Sequence, residues 1–260
     1  DFIIEYIFEK KSSKNYNFQT NLNSLRNFWG ANKLLDFSPM RIATDAFLVN
    51  YLLNNYSIDE KINILDLGCG SGLYANQIRN LGFDIKYIGI DIKLNEDWNN
   101  IEGNNIFIDN NISKNYSQIF TNIRQNNKID LVLSHSFLEH IPNDNEIFLS
   151  ISKIFNDSKH IHFVPATISF FNYFRHGFRR YNVNKLKKMI KNSDNFFSIY
   201  NLGNHYSLLH YYKRYHQFYK KKHKLDLFNI YKKNLSSYDN IEKYVFSKKG
   251  NYPIFYCLFK

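Results

Sequence analysis

Three glycines at alternate positions follow a short apolar run in the segment ILDLGCGSGLYANQI, residues 64–78. Because Gly68, Gly70 and Gly72 have no side chains, the backbone of this turn can come close to a ligand. A strand that ends in a glycine-rich turn and leads into a helix is typical of nucleotide-binding sites. The segment therefore predicts a ligand-binding loop, although one loop of this kind is a weak signal by itself.

The spacing of the glycines distinguishes between ligands. In the dinucleotide fingerprint the third glycine comes three positions after the second, whereas Leu73 occupies that position here. A phosphate-binding P-loop requires a Gly-Lys-Ser or Gly-Lys-Thr sequence, which does not follow these glycines. The pattern therefore disfavours NAD and disfavours a P-loop nucleotide more strongly.

Polar residues end four of the predicted strands. Asp66 ends the first strand, Asp91 the second, Asp109 the third and Ser134 the fourth. A carboxylate at a strand tip can accept hydrogen bonds from ribose hydroxyls, and ligands bind at the carboxyl ends of the strands of an open α/β sheet. We therefore expect these four residues to surround one site.

Alternating strand-like and helix-like segments position these residues. Five short segments rich in β-branched residues are typical of buried parallel strands, and the segments between them have helical periodicity. This alternation predicts an α/β fold with a doubly wound, mostly parallel, Rossmann-like sheet. The strand-like segments are 62–67, 85–91, 105–109, 129–134 and 160–164.

The rest of the chain is expected to surround this core within a single domain. Apolar residues at helical spacing predict a helical cover before the first strand, and the region after Pro165 is basic and aromatic. That region predicts the last strands and a long amphipathic helix from His205 to Lys224. No internal repeat or Pro/Gly/Ser-rich linker divides the chain. The predicted parts of the single domain 1–260 are the lead-in 1–60, the cofactor-binding core 61–165 and the acceptor-binding part 166–260.

Composition narrows the class of protein. The chain is 44% hydrophobic, which is enough to bury a core, and it lacks the run of about 18 apolar residues that a membrane-spanning helix needs. Its N-terminus has no basic lead before an apolar stretch, so no signal peptide is expected. The two cysteines, Cys69 and Cys257, are far apart and favour a reducing, cytoplasmic location over a disulfide framework or zinc cluster. No metal site is expected.

Charge is distributed unevenly along the chain. Residues 1–150 contain 13 Lys and Arg and 18 Asp and Glu, a net charge of −5, whereas residues 151–260 contain 21 and 5, a net charge of +16. Abundant Asn, Lys and Ile are typical of an AT-rich genome, which would raise the lysine content of the whole chain. Since only the second half is strongly basic, we expect an anionic partner or surface there.

The segments ILDLGCGSG, YIGIDI, IFIDNN and IDLVLSHSFLEHI, in this order, resemble the successive motifs of class I S-adenosylmethionine-dependent methyltransferases over roughly residues 60–165. The resemblance implies a seven-stranded sheet with the last strand antiparallel and S-adenosyl-L-methionine (SAM) as methyl donor. It also implies that Asp66, Gly68, Gly70 and Gly72 hold the methionine end of the donor. Cys69 is counted with these cofactor-binding residues by its place in the loop, where its small size favours a packing role.

The same resemblance assigns the other donor contacts. Asp91, followed by Ile92, is expected to hold the ribose. Asp109 and Asn110 are expected at the adenine, where they compete for one role. Ser134 is expected to border the position where donor and acceptor meet.

Methyl transfer to a hydroxyl requires alignment of the nucleophile with the methyl carbon and removal of a proton. A histidine is suited to the second task near neutral pH. His135, just after the fourth strand, and His176, in the basic aromatic segment, are the candidate catalytic bases, and each also has a purely structural interpretation. Glu139 and His140 are interpreted as a structural pair at the turn after the fourth strand.

Three acceptors would explain the basic and aromatic segments. A sugar, polysaccharide precursor or other small metabolite would use arginines as an anion clamp and aromatic rings as stacking surfaces. RNA would use the same groups over a longer track, and an anionic membrane surface would engage the helix 205–224. We favour O-methylation of a small acceptor because SHSF stands where base-amino methyltransferases have an Asn/Asp-Pro-Pro-aromatic motif; RNA methylation and an inactive binding protein are the alternatives. The cationic residues in question are Arg175, Arg179, Arg180, Lys213, Arg214 and Lys220–Lys222.

Overall fold

Strands and helices alternate along the part of the chain that the computed structural model describes. The described residues are 14–15, 22–30, 39–93, 95–101, 105–108, 112–167, 169, 177, 179–193, 195–203, 253 and 255–260. The strands are β1 (Lys14–Asn15), β2 (Lys61–Leu67), β3 (Asp84–Asp91), β4 (Asn105–Ile108), β5 (Leu131–His135), β6 (Lys159–Pro165), β7 (Ser198–Leu202) and β8 (Phe255–Phe259). The α-helices are α1 (Leu22–Trp29), α2 (Pro39–Asn55), α3 (Leu73–Arg79), α4 (Ile112–Asn126), α5 (Asp144–Ile154) and α6 (Val183–Lys191).

These strands form an eight-stranded sheet in the order β1-β7-β8-β6-β5-β2-β3-β4. Strand β8 lies antiparallel between β6 and β7, and the other pairs are parallel. The predicted doubly wound, mostly parallel fold with an antiparallel last strand is therefore confirmed. The expected count of seven is wrong by one strand, because the two-residue β1 pairs with Tyr200 and Asn201 of β7. Two residues are too short to give a period-2 sequence pattern.

Helices cover both faces of the sheet, which explains why the central strands are apolar on both sides. In β2, Ile62 and Ile64 belong to one hydrophobic cluster, whereas Leu65 and Leu67 belong to the other. Helices α1, α2 and α3 pack in the first cluster, and α4, α5 and α6 in the second. Side chains alternate between the two faces of a strand, so neighbouring residues at a strand end enter different environments.

The segment between β6 and α6 is closed at its base. Tyr181 N donates to the carbonyl of Pro165 at 3.0 Å, and Thr167 N donates to the carbonyl of Tyr181 at 2.9 Å. The two ends of this insertion therefore meet beside the carboxyl end of β6. The predicted helix 205–224 lies outside the described residues. Among the described helices, none combines the length and apolar character needed to cross a bilayer.

Candidate active site

The glycine loop between β2 and α3 combines two packed glycines with one that faces open space. All three alternate glycines have positive φ, between 56° and 71°. A Cβ on Gly68 would lie 2.8 Å from Cδ2 of Phe137, and one on Gly72 would overlap the side chain of Ile101. Among the described residues, no atom would lie within 4 Å of a Cβ on Gly70. The loop therefore leaves room for a ligand at Gly70, as a donor-binding loop requires.

Asp91 ties this loop to the carboxyl end of β3. Its Oδ2 accepts from Gly70 N at 2.8 Å, and its Oδ1 accepts from Ile92 N at 2.7 Å and Lys93 N at 3.3 Å. The indole Nε1 of Trp98 donates to Gly70 O at 2.7 Å. The side chain of Ile92 is 56% exposed, which is high for an isoleucine. A carboxylate and an exposed apolar side chain thus lie beside the open glycine and fit a ribose with an attached base.

Cys69 packs beneath the loop. It is buried, and a Cβ on Gly89 of β3 would lie 2.7 Å from its Sγ. Burial raises the pKa of the Cys69 thiol, so the side chain stays neutral. The backbone amides of Gly68 and Cys69 both donate to Ile90 O, at 2.8 and 3.1 Å. Cys69 is therefore a packing residue, and any donor contact would involve its backbone.

Asp66 lies below the loop, where it is only 2% exposed. Its Oδ2 accepts a hydrogen bond of 2.5 Å from the hydroxyl of Tyr87. Burial raises the pKa of Asp66 to about 7, against the lowering effects of Tyr87 and Arg41. The carboxyl group therefore changes protonation state near neutral pH, next to the loop that it supports.

Helix α2 brings a cation to the same place, which the sequence analysis missed. Arg41 pairs with Asp45, with 2.9 Å between Nε and Oδ1, and its guanidinium lies 4.4 Å from the centre of the Tyr74 ring. The fully buried Asp45 also accepts from Trp29 Nε1 at 2.7 Å and from the Tyr74 hydroxyl at 3.0 Å. Arg41 lowers the pKa of Asp66, so its charge acts on the loop. The signal was present in RIATDAFL, where an acid follows an arginine by one helical turn inside an apolar run.

His135, a predicted base, is held by α2 and aromatic rings. Its Nε2 lies 3.0 Å from Thr44 Oγ1, and that hydroxyl donates to the carbonyl of Arg41. Thr44 has only one hydroxyl hydrogen, so His135 Nε2 donates to it. The ring also stacks on Phe255, with 5.6 Å between centroids. Burial and the charge of Arg41 lower the pKa of His135 well below 6.5, so the imidazole is neutral. Its catalytic role stays a prediction.

The side chain of Ser134 does not reach the donor cleft. Ser134 is fully buried, and its Oγ lies 2.8 Å from Nδ1 of His162 on the α5 face of the sheet. His162 Nε2 lies 3.3 Å from Nδ1 of His160, whose Nε2 lies 2.8 Å from Phe155 O. Because a carbonyl can only accept, each histidine has its hydrogen on Nε2 and Ser134 donates to His162. The Ser134 side chain therefore does not border the donor, and only its backbone can do so. Successive residues of β5 face opposite sides of the sheet, and the side chain of Ser134 faces away from the cleft.

The side chain of Arg179 stabilises the fold and is not available to bind an anion. Its guanidinium makes a 2.6 Å ion pair with Asp144 and donates to the carbonyls of Ile141 and Pro142 at 2.6 and 2.8 Å. Asp144 also accepts from the Tyr181 hydroxyl at 2.9 Å. The prediction that Arg179 binds an anionic acceptor is therefore wrong, because its partner Asp144, far away in sequence, occupies it.

Several predicted site residues belong to parts of the chain that the structure does not describe. Asp109 and Asn110 at the adenine, His176, and the cations Arg175, Lys213, Arg214 and Lys220–Lys222 all lie outside the described residues. In the described ranges, no group of three or more His, Cys, Asp or Glu side chains could hold a metal ion.

The sheet order, the open Gly70 and the strand-end Asp91 together define a class I SAM-dependent methyltransferase. Residues 58–222 match the family described as "Methyltransferase domain", and the chain belongs to that family. SAM is therefore its cofactor, and the glycine loop and Asp91 fit that molecule.

Individual relatives agree with this class. The ubiquinone biosynthesis O-methyltransferase of Rickettsia prowazekii is 30% identical over 107 residues, so the match spans 40% of each chain. The plantazolicin methyltransferase BamL, solved with a triazolic desmethylPZN analog and S-adenosylhomocysteine (SAH), is similar in structure, with a TM-score of 0.53. It is 14% identical and aligns over 92% of this chain and 90% of its own. A protein of Anabaena variabilis described as a methyltransferase from an antibiotic biosynthesis pathway has a TM-score of 0.50, with 14% identity over 82% of this chain and 96% of its own. At these identities the two structures show the shared fold.

Proposed function

We propose that this methyltransferase methylates a hydroxyl group of a small-molecule acceptor. The observation that carries the proposal is the open space at Gly70 beside the Asp91 carboxylate, which suits a nucleoside-containing donor. The match to an O-methyltransferase supports oxygen as the acceptor atom. The structural likeness to a methyltransferase that binds a triazolic small molecule supports a small acceptor.

The described residues suggest how the donor is held. When bound, SAM supplies a methyl group on a positively charged sulfur. We propose that Asp91 accepts hydrogen bonds from the ribose hydroxyls and that Ile92 packs against the adenine, with Asp109 or Asn110 at its edge. Arg41 places positive charge beside the loop and is proposed to attract the donor carboxylate. The proposed methionine-end contacts are Asp66, Gly68, Cys69, Gly70 and Gly72.

The acceptor is proposed to lie between the end of β5 and the insertion after β6. The predicted base His135 ends β5. The predicted base His176 and the cation Arg180 belong by sequence to the insertion, within the proposed acceptor-binding part 166–260 of the single domain. Arg180 is partly buried and near the turn after β5, because its charge affects the pKa of both Glu139 and His140. An anionic group on a sugar or precursor would suit this charge. A cytoplasmic location is proposed because Cys69 and Cys257 are both free thiols.

The donor site is tested by calorimetric titration with SAM, with NAD in parallel. We expect SAM to bind and NAD not to bind. Asp91→Ala should weaken SAM about 10- to 100-fold, since hydrogen bonds to a charged group are worth about 1.5–3 kcal/mol. Asp84→Ala is the matched control, because Asp84 is an exposed acid at the opposite end of the same strand. Equal affinity of both variants would remove Asp91 from the site.

The acceptor class is tested with SAM labelled in its methyl group. Purified protein is incubated with a catechol, a sugar phosphate, a polysaccharide precursor or total RNA, and the labelled product is separated by chemical class. Label in a small hydroxyl compound is the expected result. Label in RNA alone would overturn the small-acceptor proposal, and stability of the product to base hydrolysis would distinguish an ether from an ester.

A further inference from the structure

A buried carboxylate lies in the turn after β5. This 3₁₀ turn spans Leu138–His140, and the side chain of Glu139 is fully buried. Within the described residues, neither carboxylate oxygen has a hydrogen-bond partner. Buried carboxylates are normally paired or hydrogen-bonded, because burial of an isolated charge is costly. The interpretation of Glu139 and His140 as a structural pair therefore leaves Glu139 unexplained.

Gly177, which belongs to the insertion between β6 and α6, lies against this side chain. A Cβ on Gly177, where φ is +73°, would lie 2.8 Å from Cγ and 3.0 Å from the carbonyl oxygen of Glu139. Arg179 holds the same end of the insertion on the carbonyls of Ile141 and Pro142. Glu139 thus lies where the segment predicted to build the acceptor site meets the sheet.

The turn also adjoins the donor loop. Its neighbour Phe137 fills the space beside Gly68, where a Cβ would lie 2.8 Å from the ring. His140, on the other side of Glu139, is close enough to Asp91 for the carboxylate to raise the pKa of the imidazole, although burial and Arg180 lower that pKa overall. The turn therefore contacts the glycine loop through Phe137 and the insertion through Glu139.

We propose that Glu139 is the general base that removes the proton from the acceptor hydroxyl, an inference that rests on the proposed O-methylation. As the acceptor oxygen bonds to the methyl carbon, the bond from that carbon to the donor sulfur breaks, and its electron pair stays on the sulfur, which becomes neutral. The hydroxyl proton passes to the carboxylate of Glu139. The resulting carboxylic acid then releases the proton to water.

The electrostatics of the turn suit this task. Burial raises the pKa of Glu139 to about 7. This outweighs the lowering by the Arg180 charge and by the Glu139 N–H and the Ser136 hydroxyl, which lie near the carboxylate without making a hydrogen bond of normal geometry. A general base works best when its pKa is near the operating pH. His135, whose pKa lies well below 6.5, is the weaker base of the two.

The test compares the pKa of Glu139 with two ligands that differ by one charge. Carbon-13 NMR of protein labelled at the glutamate carboxyl is recorded against pH with saturating SAM and with saturating SAH. SAM has a positive sulfur and SAH a neutral one, so a base close to the reacting atoms should have a pKa about one unit lower with SAM. The signal is assigned by its loss in Glu139→Gln, or in Glu139→Asp if the first variant does not fold. Exposed Glu146 on α5, assigned with Glu146→Gln, serves as the reference.

Each outcome decides the proposal. A lower pKa of Glu139 with SAM than with SAH, with Glu146 unchanged, supports a base at the methyl group. The same pKa with both ligands, although calorimetry shows that both bind, would overturn the role of Glu139 and leave the methyltransferase function intact. If calorimetry shows that neither ligand binds, the proposed donor site fails and the role of Glu139 is rejected with it.

Discussion

Two sides of the sheet bury a carboxylate in opposite ways. Beside α2, Asp45 is fully buried and receives hydrogen bonds from Trp29 and Tyr74 and an ion pair from Arg41. In the turn after β5, Glu139 is equally buried and has no hydrogen-bond partner among the described residues. Both groups have a pKa raised by burial, so burial alone does not distinguish them.

The difference lies in what the surroundings offer to the charge. The network around Asp45 stabilises a fixed carboxylate and joins three helices, as a structural group does. The surroundings of Glu139 stabilise the neutral acid, so this group can exchange a proton near neutral pH. The contrast teaches that an unsatisfied buried acid beside a ligand site indicates chemistry more strongly than a satisfied one.

The largest expected effect is on turnover. Glu139→Gln should lower kcat for the labelled acceptor about 10²- to 10⁴-fold, because a general base contributes that much to proton transfer. The calorimetric affinity for SAM should stay unchanged, and so should kcat in Glu146→Gln. Full activity in Glu139→Gln would show that Glu139, like Asp45, is a structural group and not a base.

Removing the charge of Asp45 should instead reduce stability. In Asp45→Asn the guanidinium of Arg41 loses its ion pair, and removal of one partner from a buried pair costs about 3 kcal/mol or more. Urea denaturation would measure this loss as a lower midpoint with an unchanged slope. A variant as stable as the wild type would show that the network around Asp45 does not stabilise the fold.

The same Glu139→Gln change should increase stability at high pH. The pKa of Glu139 is about 7 in the folded protein and 4.5 as the reference value, so its contribution is fully present below pH 4.5 and is lost as the pH rises through 7. Glutamine cannot ionise, and the variant should gain up to about 3 kcal/mol at pH 8 and nothing at pH 4. Urea midpoints at the two pH values give the comparison. A loss of stability at pH 8 would indicate a structural ion pair with Arg180.

The smallest expected effect is on the acid stability that comes from the hydrogen-bonded, uncharged side chains of Ser134, His162 and His160. Burial lowers the pKa of His160 from 6.5 to about 4, so its contribution to stability is present above pH 6.5 and is lost as the pH falls towards 4. The loss between pH 6.5 and 5 should be about 2 kcal/mol. His160→Gln, whose amide can still donate to Phe155 O, should reduce this dependence in thermal unfolding scans. An equally steep loss in the variant would assign the acid sensitivity to other groups.

The positions of the proposed donor residues were predictable because they depend on local sequence. Gly68, Gly70 and Asp91 follow strands whose apolar pattern is clear, and strand ends meet at one edge of a parallel sheet whatever the other contacts are. The order of strands and helices was predictable for the same reason.

The remainder depends on contacts between distant residues. Arg179 lies in a basic segment whose composition predicts an anion clamp. Its partner Asp144 belongs to α5, and the sequence does not show that the two residues pair. Ser134 has the right position at a strand end, yet the alternation along β5 directs its side chain to His162. Asp45 is one acid in an apolar helix, and only the packing of α1 and α3 shows that it is satisfied. The two-residue β1 has no pattern at all.

The place of β8 has a consequence for the order of folding. Pro165 pairs with Phe255, and Ile161 with Phe259, so one edge of β6 receives its partner from a distant part of the chain. Contacts of such high sequence separation form late, because a long loop must close first. Until then β6 presents an unpaired, apolar edge, which is a template for association with other chains. Substitutions that weaken β8 should therefore increase aggregation during synthesis more than they reduce the activity of the protein that has folded.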